Sequence, residues 1–276
     1  MYRLFLGGVV AVWLSAMTAL FVRDIWPAWS AQNAPPLSSH HLGELPRYDW
    51  QYGLFDAQQR RIGTSWATMS GTEQTTTIRS TLVLDGAPMI PPLRVETETQ
   101  FDAEGQLDSF WLHVYGLPMT RIHVRGERRG IYFPCEIQAG PFHRQANLEM
   151  AATRLIGDAF RPFSYLPTLE VGQSWRMQLL DPLSAVLGGK PRFTSLVARV
   201  TRKETIDHKG AKVECHVVET NPEHVTAWVG PSGEVLLQKV DLPGLGTLGI
   251  RSEEYDSALR ARMVSQIGST DTDDSL

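Results

Sequence analysis

Two thiols, eight imidazoles and a set of aromatic side chains are the groups in this chain with chemistry to offer. The thiols come first, because a thiolate is both a nucleophile and a metal ligand. A reactive cysteine needs a cation or a helix N-terminus beside it to depress its pKa. The run Tyr132-Phe-Pro-Cys135-Glu has neither and reads as strand, so Cys135 is expected to be structural, with His143 and Asp158 as its best available partners. In an oxidising compartment, Cys135 and Cys215 would close a loop of about 80 residues, worth on the order of 4 kcal/mol in the chain-entropy model. Two buried thiols in neighbouring strands is the other reading, and the sequence leaves both open. No G-x-S-x-G elbow or S-x-x-K motif supplies a nucleophilic serine.

Among the histidines, His113 and His123 fall on adjacent predicted strands and face each other across a hairpin through Gly116-Leu-Pro118. His216 and His224 form a second such pair, and His40-His41 sit in a linker. A zinc site needs a third ligand, and the chain has no H-x-x-x-H or C-x-x-C. Polar strand faces account for these residues, so no metal and no cofactor is expected. The acid pairs Glu96/Glu98 and Glu253/Glu254 have the residue types of glycoside hydrolysis. Alternate carboxylates on a strand share one face, and they are expected to be solvated. Asp271, Asp273 and Asp274 have Ca²⁺-like spacing without a loop glycine or a closing glutamate, which rejects an EF-hand. The loop Leu242-Pro-Gly-Leu-Gly-Thr-Leu-Gly249 lacks the Lys-Ser/Thr of a phosphate cradle.

Trp50, Tyr52, Phe55, Trp66, Trp111, Tyr115, Trp175 and Trp228 all fall on or beside predicted strands. They either fill a core or line an apolar groove between a curved sheet and a helix. As groove or interface aromatics, Trp111, Tyr115 and Trp228 are the expected binding residues.

The elements that position these groups are mostly strands. Thr75, Thr77, Arg79, Thr81 and Val83 alternate with Thr76, Ile78, Ser80, Leu82 and Leu84 up to the Asp85-Gly86 turn. Leu93, Val95, Thr97 and Thr99 oppose Arg94, Glu96 and Glu98, and Phe110, Leu112 and Val114 alternate with Trp111, His113 and Tyr115. Later strands are expected at Val197–Thr205, Lys212–Glu219, Val225–Val229 and Glu234–Val240. Turns fall at Asp102–Gly105, Gly126–Gly130, Asp207–Gly210 and Pro231–Gly233. Roughly a dozen strands joined as antiparallel hairpins follow from this pattern. Helices are expected at Leu148–Phe160 with Asn147 as cap, at Pro182–Leu187 after Asp181, and at 256–264 with Asp256 as cap.

Leu4 to Val22 carries no charge. Its roughly 19 residues at about 1.5 Å each nearly match a bilayer core. A cleaved signal peptide has a shorter apolar run leading directly to small residues. Here Arg23, Asp24, Trp26 and Pro27 intervene, and Trp26 and Trp29 fit an interfacial belt. The expected organisation is a membrane anchor over 4–22, a linker over 23–46, a β-rich extracytoplasmic domain over 47–264, and a disordered acidic tail over 265–276. A 42% hydrophobic, 20% charged composition makes the body a folding domain. A net charge of −4 without a Lys/Arg cluster argues against nucleic acid.

The runs Leu169-Glu-Val-Gly-Gln-Ser-Trp175, Val200 to Gly210 and Ala227-Trp-Val-Gly-Pro-Ser-Gly-Glu-Val-Leu236, with Trp50-Gln-Tyr-Gly-Leu-Phe and Arg61-Ile-Gly63, resemble a β-rich extracytoplasmic module that often precedes a bacterial transglutaminase-like domain. The catalytic domain of that family, with its Cys–His–Asp set, has no counterpart here. The strand–turn–strand rhythm also looks like the curved half-barrels of periplasmic lipoprotein carriers. The strand pattern and these resemblances together point to a mainly β fold, a curved antiparallel sheet, half-barrel or sandwich with one or two short helices, to which the Leu4–Val22 run adds an N-terminal transmembrane helix. The expected role is a non-catalytic, membrane-anchored scaffold or partner-binding module of the bacterial envelope. A carrier of an apolar ligand or lipid is the alternative.

Overall fold

The computed structural model describes residues 48–268 apart from 73, 87–90, 104–106, 117–120, 131, 150–155, 159–162, 164, 167, 182–191, 222–224 and 243–245, and outside that span only 13 and 15–18, which are helical. The first eight strands are β1 (Tyr48–Phe55), β2 (Arg61–Gly71), β3 (Thr75–Leu84), β4 (Leu93–Asp102), β5 (Leu107–Tyr115), β6 (Ile122–Glu127), β7 (Tyr132–Ala139) and β8 (Phe142–Glu149). After them come β9 (Ile156–Asp158), β10 (Ser174–Asp181), β11 (Arg192–His208), β12 (Ala211–Asn221), β13 (Val225–Val229), β14 (Val235–Leu242) and β15 (Gly246–Glu253), then helix α1 (Ser257–Gly268).

All the strands belong to a single 15-stranded sheet, in the order β8-β7-β6-β5-β4-β3-β2-β1-β15-β14-β13-β12-β11-β10-β9. Pairing is antiparallel except where β9 runs parallel to β10. The chain builds outward from β1 to β8, then returns from the far edge to close β15 against β1. Each hairpin sets its register locally. Lys209 and Gly210, both at positive φ (50° and 79°), form the two-residue turn between β11 and β12, the geometry that matches strand twist.

One sheet face buries Leu112, Val124, Phe133 and Cys135 from the first half together with Val218, Ala227, Val229 and Trp175 from the second, in one continuous core cluster. A flat single sheet would leave this face in water. Its burial therefore requires the sheet to curl over itself, with that face concave. Register shifts at Leu54/Phe55, Gln100/Phe101, Val200/Arg202 and Trp228/Val229 supply local bends. Gly126 lies where the curl is tight: a Cβ there would come within 2.6 Å of Phe133 and Phe110. The edges β8 and β9 are not paired with each other, so the sheet is open.

The shift near Thr201 reverses which face later residues of β11 present. Beyond it Arg202 pairs with Val217, and a second, smaller apolar cluster forms from Cys215, Val217, Trp228 and Leu236 with Ile206, Val213 and Leu237 packed against it. Because Val217 and Trp228 are partners next to the inward pair Val218 and Ala227, this cluster lies on the convex side.

A short segment enters the concave side. Phe163 and Leu166 are fully buried, and Gln238 of β14 holds the Phe163 backbone at both ends, its Oε1 accepting from the N–H at 3.1 Å and its Nε2 donating to the C=O at 2.9 Å. Leu166 N–H donates to Gly233 C=O at 2.9 Å, and Tyr165 bridges to Glu234.

Helix α1 crosses the convex face. Its cap is Asp256, whose Oδ1 accepts from the N–H groups of Ala258 and Leu259 at 2.9 Å each. Gln51 Oε1 accepts from both the Asp256 N–H and the indole of buried Trp66, which ties the helix start to β1 and β2. At the other end, Arg94 of β4 donates to the Val264 C=O at 3.0 Å.

Several expectations are corrected. Residues 148–149 and 156–158 are strand, not helix. Apolar spacing in a short run does not separate a helix from an edge strand, and here pairing with β7 and β10 decided it. A sandwich is replaced by one coiled sheet. The helix capped by Asp256 runs through 265–268, into the tail expected to be disordered. Cys135 and Cys215 are both free and buried, one in the main core and one in the convex cluster, so the tentative disulfide is not formed. The expected helix at 182–187 lies outside the described residues, as does the anchor over 4–22 apart from its helical residues 13 and 15–18. Among the described residues, no helix is long and apolar enough to cross a membrane.

Replacing Gln238 with Ala leaves a buried N–H and C=O at Phe163 without partners. The expected loss is about 2–4 kcal/mol, read as a lower urea midpoint at unchanged m-value. A change within about 0.5 kcal/mol would show that the 163–166 segment does not depend on this residue.

Candidate binding groove

Period-two alternation turns half of β4, β5 and β6 toward the convex side. On β6, Ile122, Val124 and Gly126 are buried while His123, Arg125 and Glu127 are exposed. Antiparallel register then lines up partners from strand to strand. One row reads Arg79, Glu98, Trp111, Arg125, Glu136, and the next reads Glu96, His113, His123, Gln138, His143.

In the first row Glu98 is the anchor. Although it faces the convex side, it is only 7% exposed. Burial alone would raise its pKa. Hydrogen bonds from Arg79, Gln100 (2.8 Å) and the Trp111 indole outweigh that and hold the carboxyl below its usual range. The Ser109 hydroxyl donates to Gln100 Oε1 at 3.3 Å and extends the network along β5. Trp111, half-buried, pairs with Glu98 across β4 and β5.

The second row packs against the first. The rings of Trp111 and His113 lie 4.7 Å apart, and His113 meets His123 edge-on at 4.2 Å. His113 Nδ1 and the Tyr115 hydroxyl are hydrogen-bonded at 3.1 Å. Burial lowers the His113 pKa, the neighbouring His123 lowers it further, and Glu96 opposes both. Burial raises the Tyr115 pKa, as does Glu96, against the Arg94 guanidinium 4.3 Å over its ring. At the outer end of the row, His143 Nε2 and Glu136 Oε1 are 2.5 Å apart.

Between these rows and the Asp108–Glu127 end of β5–β6 lies an open groove of about 470 Å³, lined by Glu98, Gln100, Ser109, Trp111, His113 and Arg125 among others. Among the described residues no group of three His, Cys, Asp or Glu side chains has metal-binding geometry. The cysteines are remote from nucleophilic chemistry: burial pushes Cys135 up to about 12, and burial with nearby glutamates pushes Cys215 up to about 11.

The structure brings Trp111 and Tyr115 together on one face with His113 between them. Trp228 is elsewhere, on β13, with β4, β3, β2, β1, β15 and β14 intervening. It is 7% exposed, packed in the convex cluster, with the Lys239 ammonium 5.4 Å from its ring centre. Trp50, Tyr52, Trp66 and Trp175 are buried as packing residues. Of the helix expected over the groove at 148–160, residues 148–149 and 156–158 are strand and the others lie outside the described residues. The predicted facing of His113 and His123 is observed, while His224 lies outside the described residues. Glu98 was expected to be solvated and is instead the buried centre of the site. Its signal in the sequence was the alternation that places Arg79 and Trp111 opposite it on both neighbouring strands.

No family model matches the chain, and no curated protein matches it. Among solved structures, a β-barrel-like protein of the DUF1849 domain of unknown function from Brucella abortus is similar with a TM-score of 0.46 and 10% identity, covering 76% of this chain and 98% of that one. A DUF1089 family protein from Pseudomonas aeruginosa is similar with a TM-score of 0.32 and 18% identity, covering 66% and 90%.

The depressed His113 pKa has a consequence for stability. A folded-state pKa below the unfolded value near 6.5 means that the unfolded chain binds the proton first. The neutral ring's contribution is full above that value and is lost as pH falls through it. His208 and His216 shift in the same direction, again with burial as the main cause. Stability should therefore decline between about pH 7 and 5, and His113→Gln should flatten that slope in urea titrations at several pH values. An unchanged slope would remove His113 from the account.

Proposed function

We propose that this protein is a non-catalytic binding module of the bacterial envelope, held outside the cytoplasm by an anchor over residues 4–22, and that it recognises its partner through the convex groove at Trp111. One observation carries the reading: a half-buried tryptophan packed on His113 stands beside a buried carboxylate that accepts from Arg79 and Gln100, on the part of the convex face beyond α1. An aromatic side chain already packed on its sheet has little rotamer freedom to lose on contact, which is the property of an interface anchor.

A second reading, a carrier of an apolar ligand on the concave side, draws on a different observation. The indole N–H groups of Trp50 and Trp175 are buried without an acceptor, and both rings pack near the inserted segment, Trp50 6.4 Å from Tyr165 and Trp175 6.4 Å from Phe163. A ligand oxygen inside the curl would satisfy such donors.

The test places a photo-crosslinking residue in the full chain in its membrane, either at Ser109 in the groove or at Lys212 beside the β11–β12 turn. The expected outcome is a discrete adduct from Ser109 and none from Lys212. Identical products from both positions, or none from either, would sink the groove reading. Native mass spectrometry of the same preparation decides the second reading: a stoichiometric lipid adduct would transfer the function to the concave side.

A further inference from the structure

We infer that the convex groove takes a neutral saccharide, so that the partner of this module is a glycan chain rather than a folded protein or an extended peptide. The inference rests on the groove being the binding surface and adds the chemistry of its occupant.

Three features of the groove select that chemistry. The first is backbone pairing. The groove lies over β4, β5 and β6, in the interior of the sheet, where each strand is paired on both sides. A peptide cannot add there as a strand, because strand addition needs an open edge. Recognition falls entirely to side chains.

The second is charge. Of the ionised groups lining the groove, Glu98 is paired with Arg79, Asp108 shares Arg128 with Asp102, and Arg125 and Glu127 lie on the same face of β6 with opposite sign. Acids outnumber bases in the lining, which disfavours an anionic lipid headgroup, and the neighbouring Arg79 and Arg128 guanidiniums offset part of that charge against a basic segment. The lining presents acceptors and donors in close sequence: the Ser109 hydroxyl oxygen, the His123 ring, the Arg125 guanidinium and the Glu127 carboxylate. A polyhydroxylated neutral ligand, whose every hydroxyl both donates and accepts, matches such a mixed set.

The third is the aromatic ring. Trp111 contributes a flat, electron-rich face in a groove otherwise lined mostly by polar groups. The C–H groups of a pyranose ring present the weakly positive surface that such a face attracts. The ring is packed against His113, with centroids 4.7 Å apart, beside the Glu98 carboxylate on the neighbouring strand. From β4 to β6 is two strand spacings, about 10 Å, room for a disaccharide unit lying across the strands. Shallow, solvent-open sites of this kind bind weakly, and a dissociation constant on the order of 0.1–1 mM is expected.

The test is a titration of the full chain, ¹⁵N-labelled at tryptophan, in lauryldimethylamine oxide micelles, a detergent without a sugar headgroup. The probes are the tetramers of β-1,4-linked N-acetylglucosamine and of α-1,4-linked glucose. The expected result is a saturable shift of the Trp111 indole signal with at least one of them. Read instead by saturation transfer to the sugar's own resonances, since these variants lack the reporting indole, Trp111→Ala should weaken binding by about tenfold or more, while Trp111→Phe, which keeps a flat face, should retain most of it. The Trp50 and Trp175 signals serve as internal checks that each variant is folded. No saturable shift up to about 10 mM of either sugar, or a shift confined to Trp50 and Trp175, overturns the inference. A Ser109 crosslink to a protein with no sugar response would reject the saccharide and leave the groove standing. Absence of both would reject the groove as well.

Discussion

The whole structure depends on one constraint: a single sheet with no second sheet to cover it must bury its apolar face against itself. Residues from β4–β7 and from β10–β15 meet in one cluster, and among the described residues only α1 and the segment around Phe163 supplement the sheet. Curling makes the two faces unlike. The concave side is occupied by Leu, Val, Phe and Trp side chains. The convex side can carry polar and charged rows across several strands without cost to the core.

That division explains where chemistry collects. A convex row is a line of side chains from successive strands, about 4.8 Å apart, so opposite charges and aromatics placed one per strand become a continuous network. Arg79, Glu98 and Trp111 belong to three strands and bond as one unit. Glu98 is buried by its neighbours rather than by the core, and this keeps it ionised while shielding it from water. Helix α1, crossing from Gln51 to Arg94, marks one limit of the open face. The groove lies past it.

The second apolar cluster shows how little is needed to redirect a strand. One extra residue near Thr201 turns the outer part of β11 over, so that Ile206 joins Val213 and Cys215 on the convex side. The two cysteines consequently end up in separate apolar environments, where burial disfavours the thiolate of each.

From the sequence alone came the strand content, the hairpin turns, the Asp256 cap and the opposition of His113 and His123, because each depends on neighbours close along the chain: alternation, turn chemistry and one hairpin's register. Those signals also put Trp111 and Tyr115 on a shared face. Tertiary structure decided everything that needed distant pairing. Residues 148–149 and 156–158 became strand because β7 and β10 offered partners. Trp228 went to a different cluster because closing β15 against β1 sends β13 to the far side of the sheet order from β5. Glu98 became the centre of a site only when β3 and β5 brought Arg79 and Trp111 to it. Local periodicity determines which way a side chain points from its strand. Which strands lie beside it, and how sharply the sheet bends, follows from burying one face of the whole chain at once.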